Sequence, residues 1–262
     1  MRQGLELFDM HLHLDSYREP VAVARELDAL GVGALAVTTT PQGWQRNREL
    51  AAEPNVQLAA GLHPWWFDDE RHEPVSVDDL LAAVERTRFV GEVGLDFLEK
   101  HAPERTWEAQ RQGLEHVLAT CAEASSPDAP HVVSLHAVRA AGELLDLLER
   151  TGCAERCACI MHWFGGSNDE LWRAIRMGCW FSCGPLMMGV KRSREYVRLI
   201  PAERLMLETD YPWSDAQQEP RLAAEQIRDG LLSAADAIAT ARGCTAAEVL
   251  ALARQNSEAL LA

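Results

Sequence analysis

The chain has 262 residues, of which 47% are hydrophobic, and this is enough for one barrel-sized domain with a large core. A net charge of −15 disfavours a protein that holds duplex DNA tightly through its backbone, but not one that draws a polyanion in locally through metal ions. There is no apolar run of membrane-spanning length and no signal-peptide core near the first residue, so we expect a cytoplasmic protein.

Short, nearly continuous apolar runs recur along the chain. Runs of this kind are typical of parallel strands that are covered on both faces, because neither face meets water. The predicted strands are Leu7–Leu14, Ala34–Thr40, Val56–His63, Phe89–Leu95, His131–Ala137, Ala158–Phe164, Cys179–Cys183 and Arg204–Thr209.

Amphipathic stretches follow these runs and predict helices. They are Pro20–Leu30, Val77–Arg86 with Ser76 as N-cap, Pro103–Glu123, Val138–Glu149, Asn168–Met177, Arg192–Leu199, Pro220–Ala241 and Thr245–Leu261. Eight strands, each followed by a helix, predict an α/β fold of the (β/α)₈ TIM-barrel type. A doubly wound open sheet is the alternative, but such sheets usually carry a glycine-rich phosphate loop after the first strand, and this chain has none. Residues 125–130 are interpreted as a surface loop, so we expect a single domain over residues 1–262.

Metal-ligand residue types gather at the carboxyl ends of the predicted strands, where barrel enzymes place their active sites. They are His11 and His13 on the first strand, His63 on the third, Glu92 on the fourth, His136 on the fifth, His162 on the sixth and Asp210 at the end of the eighth. The spacing of His11 and His13 turns both imidazoles to one face of a strand. The carboxylate of Glu92 is costly inside an apolar strand unless it is paired or coordinated. The seven cysteines contain no C-x-x-C pair, so a zinc ribbon is not expected.

Each candidate ligand also has a plainer interpretation. His136 or His162, taken alone, would more often be a hydrogen-bonded core histidine than a ligand. Asp210 could be only a helix cap, in which case Glu208 is the functional acid. Even without His63, six such residues at the same end of five strands are hard to explain as independent accidents, so the set predicts a metal site.

Six segments, in order, resemble the signature motifs of the TatD family of metal-dependent deoxyribonucleases. They are Phe8–Asp15, Gly61–Pro64, Val90–Asp96, Leu135–Arg139, His162–Ser167 and Glu208–Pro212. The resemblance covers roughly residues 7–215 and implies a TIM barrel of the metallo-dependent hydrolase type with two divalent metal ions. It also implies that His11 and His13 hold one ion with Asp210, that Glu92 bridges, and that His136 and His162 hold the second. Mixed histidine and carboxylate ligands do not choose among Mg, Mn and Zn.

The hypothesis that follows is phosphodiester hydrolysis by metal-activated water, with single-stranded DNA as substrate and exonuclease action. Asp210 and Glu92 would be catalytic, with Asp210 accepting a proton from the attacking water, and the resemblance implies that His63 contacts the substrate phosphate. Trp65, next to His63, is a candidate to stack an unpaired base, although packing is the favoured alternative. Arg139 is displaced by one residue from the arginine of the family's usual His-Ser-Arg motif, which puts its phosphate contact in doubt.

A closer similarity is to the TatD-like component of the Qat anti-phage defence cassette. It is carried by residues 14–17, 37–41, 162–164 and 178–182, and it implies a role in defence with protein partners. Two alternatives keep the barrel. One is a metal-dependent ester or amide hydrolase, such as an aminoacyl-tRNA deacylase. The other is a non-catalytic subunit of a defence complex.

Overall fold

The computed structural model describes residues 1, 3–68, 70, 75–213 and 217–261. Its strands are β1 (Leu7–Leu12), β2 (Val32–Ala36), β3 (Val56–Leu58), β4 (Ala60–Leu62), β5 (Phe89–Asp96), β6 (Val132–Val138), β7 (Ala158–His162), β8 (Trp180–Cys183) and β9 (Leu205–Leu207). Its helices are α1 (Pro20–Ala29), α2 (Pro41–Arg46), α3 (Val77–Val84), α4 (Trp107–Ala124), α5 (Ala141–Thr151), α6 (Cys153–Arg156), α7 (Asn168–Arg176), α8 (Pro185–Gly189), α9 (Lys191–Leu199), α10 (Pro220–Arg242) and α11 (Ala246–Leu261).

Every predicted strand is present, but the one expected over residues 56–63 is divided at Ala59 into β3 and β4. The cause is the hydroxyl group of Thr38, which donates to the Ala59 carbonyl and accepts the backbone N–H of Gly61. A side chain thus takes the place of strand-to-strand backbone bonds at this point. The helix expected from Val138 begins three residues later, at Ala141, because Val138 still belongs to β6. Arg139, with φ 54°, then turns the chain out of the strand direction.

The chain divides into two compact units, of which the first comprises Met1–Val37, Arg46–Leu58 and Phe181–Ala262. Within it β1 pairs in parallel with β2, β2 with β3, and β8 with β9. Every residue of β2 and all but the first of β1 are buried, as expected for strands covered on both faces. Helix α1 packs on α10, and α11 packs on β1 and β9. Asn55 links α1 to β2, because its amide group donates to the carbonyls of Ala24 in the helix and Val32 in the strand.

The second unit comprises Thr38–Gln45 and Ala59–Trp180. Its strands pair in parallel in the order β4-β5-β6-β7, and all eight residues of β5 are buried. Helix α4 packs on β5, α3 and α5. The predicted N-cap Ser76 is confirmed, because its side chain accepts the backbone N–H of Asp78. Parallel pairing brings the carboxyl ends of the four strands to one edge of this sheet, and the polar side chains described below lie there.

Among the described residues, every helix is too short or too polar to cross a lipid bilayer.

Candidate metal centre

The first unit brings together His11, His13 and Asp210. His11 is on β1, His13 follows that strand directly, and Asp210 lies three residues beyond β9. Nε2 of His13 is 3.3 Å from Oδ1 of Asp210, and Nε2 of His11 is 3.8 Å from the same oxygen. Two imidazole nitrogens therefore converge on one carboxylate oxygen, as the spacing of the two histidines predicts. His11 is fully buried, whereas the Asp210 side chain is 23% exposed and can reach solvent.

Backbone hydrogen bonds position this group. The Asp210 N–H donates to the carbonyl of His11, and the His13 N–H donates to the carbonyl of Tyr211. Asp9 adds a side-chain clamp, because its carboxylate accepts the N–H of His11 and both the N–H and the hydroxyl of Thr209. Burial raises the pKa of Asp9 to about 7, although these hydrogen bonds oppose the shift.

Of the two acids that the sequence left as alternatives, Asp210 lies with the histidines. Glu208 is buried within the first unit, where its carboxylate accepts a hydrogen bond from the hydroxyl of Ser182. Asp210 has φ 56°, a left-handed conformation that is uncommon outside glycine, although asparagine and aspartate adopt it more readily than other residues. Such backbone conformations persist where the surrounding structure holds them, and they concentrate at functional sites.

The second unit brings together His63, Glu92, His136 and His162. Oε1 of Glu92 is 2.6 Å from Nδ1 of His136, 3.6 Å from Nε2 of His63 and 3.9 Å from Nε2 of His162. Glu92 is only 3% exposed, so its charge is compensated by these imidazoles rather than by water. Three imidazole nitrogens around one buried carboxylate oxygen form the donor set that Zn and Mn accept, and that Mg tolerates when water completes it.

Within this second group, ligand atoms of His63, Glu92 and His136 all lie within 4.8 Å of one another, close enough to share one ion. Burial opposes the charge on His136, but the negative charge of Glu92, the hydrogen bond with Glu92 and the nearby carboxylate of Asp96 outweigh it and raise the pKa of His136 to about 9. A cation is thus favoured at this position, either as a proton on His136 or as a metal ion that displaces it. Glu92 and the imidazoles of His136 and His162 therefore fit a divalent metal.

The backbone holds one ring nitrogen of His63. Its Nδ1 accepts the backbone N–H of Trp65 at 3.2 Å, so in the neutral ring the proton sits on Nε2. Nε2 lies 3.6 Å from Oε1 of Glu92, and in this tautomer it carries a proton rather than a lone pair. His63 is consequently better arranged to donate to an anionic ligand than to coordinate a cation.

Asp96 is a functional candidate that the sequence reasoning missed. It closes β5, is fully buried, and its Oδ2 lies 3.6 Å from Nε2 of His136. Burial raises its pKa, but the neighbouring His136 ring and hydrogen bonds from Trp65 and Leu98 prevail and lower it to about 2, so Asp96 is ionised at neutral pH. A carboxylate beside the second ring nitrogen of a candidate ligand fixes the orientation of the imidazole. The argument made for Glu92, a buried acid in an apolar strand, applies equally to Asp96 and would have found it.

The remaining predicted site residues lie near these groups without joining them. Trp65 follows His63, with ring centroids 4.7 Å apart, and is exposed. Arg139 is exposed and has φ 54°, one residue beyond β6. Trp163 follows His162 directly with φ 38°, so in this unit too the chain turns left-handed where a ligand-bearing strand ends.

The family comparison identifies the kind of protein that carries these groups. The family model "TatD related DNase" matches residues 8–262. The 3'-5' ssDNA/RNA exonuclease TatD of Pantoea vagans (strain C9-1) is 30% identical, over 97% of this chain and 98% of the relative. Deoxyribonuclease TATDN3 of Homo sapiens is 27% identical over 97% and 94%. The metal-dependent hydrolase YcfH of Escherichia coli (strain K12), described as uncharacterized, is 28% identical over 79% and 78%.

Solved structures agree on the fold. YJJV, a TatD homolog from Escherichia coli K12, has a TM-score of 0.76 at 24% identity and covers 98% of both chains. A TatD family hydrolase from Entamoeba histolytica has a TM-score of 0.75 at 15% identity and covers 99% of both. The fold is the TIM barrel of the metallo-dependent hydrolases rather than a doubly wound open sheet, and the protein is a metal-dependent hydrolase of the nuclease type. The chain belongs to the TatD family.

Proposed function

We propose that this protein is an exonuclease that hydrolyses phosphodiester bonds of single-stranded DNA with the help of divalent metal ions. The observation that carries the proposal is the convergence of three imidazole nitrogens on the buried carboxylate of Glu92. Family membership supports the chemistry, and the Pantoea vagans relative named as a 3'-5' ssDNA/RNA exonuclease supports the substrate class. The acidic chain requires a local source of positive charge to attract DNA, and metal ions supply it.

The proposed metal ligands form two groups, each of which would hold one divalent ion. In the first unit they are His11, His13 and Asp210. In the second they are Glu92, His136 and His162. When bound, such ions supply Lewis-acid polarisation of the phosphodiester and activation of water. Mg, Mn and Zn are the candidates, because this mixture of nitrogen and oxygen donors suits all three.

Four side chains would act on the substrate and the water or position the groups that do. Asp210 is proposed as the proton acceptor, because its carboxylate is partly exposed and is oriented by two histidines. His63 is proposed to donate its Nε2 proton in a hydrogen bond to a phosphate oxygen, since its Nδ1 is already held by the backbone. Glu92 keeps the imidazoles around it oriented. Arg139 is exposed and positively charged, so it would contact the DNA backbone further from the reaction.

Digestion of an end-labelled single-stranded oligonucleotide by metal-stripped protein tests the proposal, with Mg, Mn or Zn added back. We expect a stepwise ladder from one end for the wild type and no ladder for Glu92→Gln. Glu123→Gln is the matched control, because Glu123 is an exposed acid near the end of α4 and its variant should digest normally. Full metal-dependent digestion by both Glu92→Gln and Asp210→Asn would refute the assignment. Cleavage of an aminoacyl ester by a wild type that leaves DNA intact would favour the deacylase instead.

A role in anti-phage defence is a further proposal that rests on the resemblance of residues 14–17, 37–41, 162–164 and 178–182 to the Qat component. It predicts that Glu92→Gln abolishes protection of cells that carry the cassette, as judged by phage plating. Protection that survives this substitution would favour a non-catalytic subunit. A single domain over residues 1–262 and a cytoplasmic location remain predictions from the sequence.

A further inference from the structure

Trp65 combines exposure with anchoring. It lies in the short 3₁₀ turn Pro64–Phe67 directly after His63, and it is 42% exposed. Its indole N–H nevertheless donates to Oδ2 of Asp96 at 2.7 Å, a short bond to an ionised acceptor. The polar end of this side chain is therefore fixed while part of its ring is open to a ligand.

The anchor of Trp65 is itself held on several sides. Asp96 is fully buried at the end of β5, and its Oδ1 accepts the N–H of Leu98 at 2.9 Å. Its own N–H donates to Oε1 of Gln110, which is also fully buried. An acceptor fixed in this way leaves the indole little freedom to rotate. The ring is therefore held in one orientation before any ligand binds, so binding does not require the side chain to be ordered.

Two imidazoles flank the indole. The ring of His63 meets it edge to face, with centroids 4.7 Å apart and planes inclined by 77°. The ring of His101 lies 5.2 Å away on a tilt of 57°, and its Nδ1 is 3.2 Å from the same Asp96 oxygen that holds Trp65. The three rings form one aromatic surface, and it begins at the residue proposed to contact the substrate phosphate.

We propose that Trp65, anchored by Asp96 and flanked by His101, stacks an unpaired nucleobase of the strand that is being hydrolysed. The proposal rests on the proposed nuclease function and names the feature of the substrate that the site would recognise. Every nucleobase has a π-face, and stacking on an aromatic side chain is tolerant of sequence. A base within a duplex is already stacked on both faces, so this surface selects single strands or frayed ends.

Binding of fluorescein-labelled oligothymidylate, compared with an abasic strand of the same length, tests this inference by fluorescence anisotropy. The wild type should bind the base-bearing strand roughly 5- to 100-fold more tightly, the range expected for one stacked base. Trp65→Ala should lose that preference. Trp172→Ala is the matched control, because Trp172 is 44% exposed on α7 and should leave the preference unchanged. Trp65→Phe keeps a ring but lacks the anchoring N–H, so its preference should lie between those of the wild type and Trp65→Ala.

Equal affinity of the wild type for the two strands would overturn the inference, even if the protein digests DNA. So would a preference that Trp65→Ala retains in full. A preference for the base-bearing strand that Trp65→Ala loses and Trp172→Ala keeps would support the inference. If neither strand were cleaved, only the nuclease proposal would fail. In the cleavage assay, the loss in Trp65→Ala should appear mainly in KM, because stacking holds the strand and does not act on the reacting phosphate.

Discussion

Gly61 is a position at which a single added methyl group should severely disrupt the second unit. A Cβ there would lie 1.8 Å from the carbonyl oxygen of Thr38, 2.5 Å from the backbone nitrogen of Glu92 and 2.6 Å from the carbonyl carbon of Gly91. These are all backbone atoms, so no side chain can rotate to make room. The methyl group would occupy the place of the hydrogen bond from the Glu92 N–H to the Thr38 carbonyl.

Gly61→Ala should therefore lower the free energy of unfolding by more than an ordinary overpacking substitution does. Forcing a methyl group into a packed core costs about 1–3 kcal/mol. Separating Thr38 from Gly91 and Glu92 would also break two backbone hydrogen bonds, of 3.0 and 2.9 Å, each worth about 1 kcal/mol. We expect the free energy of unfolding to fall by about 3–5 kcal/mol, a large share of the roughly 5–15 kcal/mol that a native protein has.

Urea unfolding followed by tryptophan fluorescence and circular dichroism measures this loss. Gly189→Ala is the control, because nothing lies within 4 Å of a Cβ at that position at the end of α8. The control should change the free energy of unfolding by no more than about 1 kcal/mol, in the stabilising direction. If Gly61→Ala unfolded within about 1 kcal/mol of the wild type, the close approach of Thr38, Gly61 and Glu92 would be wrong.

Two further outcomes follow from buried polar and thiol groups. Asn55→Ala should lower the free energy of unfolding by about 2–3 kcal/mol, because two buried backbone carbonyls lose their donor, and an unchanged urea midpoint would contradict this. Burial raises the pKa of the Cys121 and Cys183 thiols, so these thiols stay protonated and unreactive at neutral pH. They become more reactive only as the pH approaches their raised pKa. Iodoacetamide should therefore label exposed Cys244 first, as read by mass spectrometry of the folded protein. Rapid labelling of Cys183 without denaturant would count against the burial described.

The strands could be predicted from the sequence because burial on both faces requires nearly continuous runs of apolar residues. Runs such as residues 89–95 contain few polar residues, and the two that stand out in β5, Glu92 and Asp96, are the ones that lie beside His136. The break at Ala59 could not be read in the same way. It depends on where the hydroxyl of Thr38 lies, and nothing in the spacing of residues 56–63 encodes that.

Beyond the ends of the strands, side-chain direction depends on single backbone torsions. The sequence placed Glu208 and Asp210 equally close to a strand end, and only the left-handed conformation of Asp210 directs its carboxylate to the histidines. The anchoring of Trp65 depends likewise on a turn that aims its N–H at Asp96 from 31 residues away. Periodicity carries no information on such contacts, because they join loops to strands rather than neighbours in one element.

The hydrogen bonds between Asp9 and Thr209 also determine when, during synthesis, the first group of candidate ligands can assemble. The two residues are 200 positions apart, so the hydrogen bonds that fix the first ligand group cannot form until most of the chain has been made. At ~5–20 residues per second, His11 and His13 would wait roughly 10–40 s for the carboxylate of Asp210. During that interval His11 and His13 lack the third member of their group. A metal ion held by this group, as proposed, would therefore bind late, after Asp210 has been made.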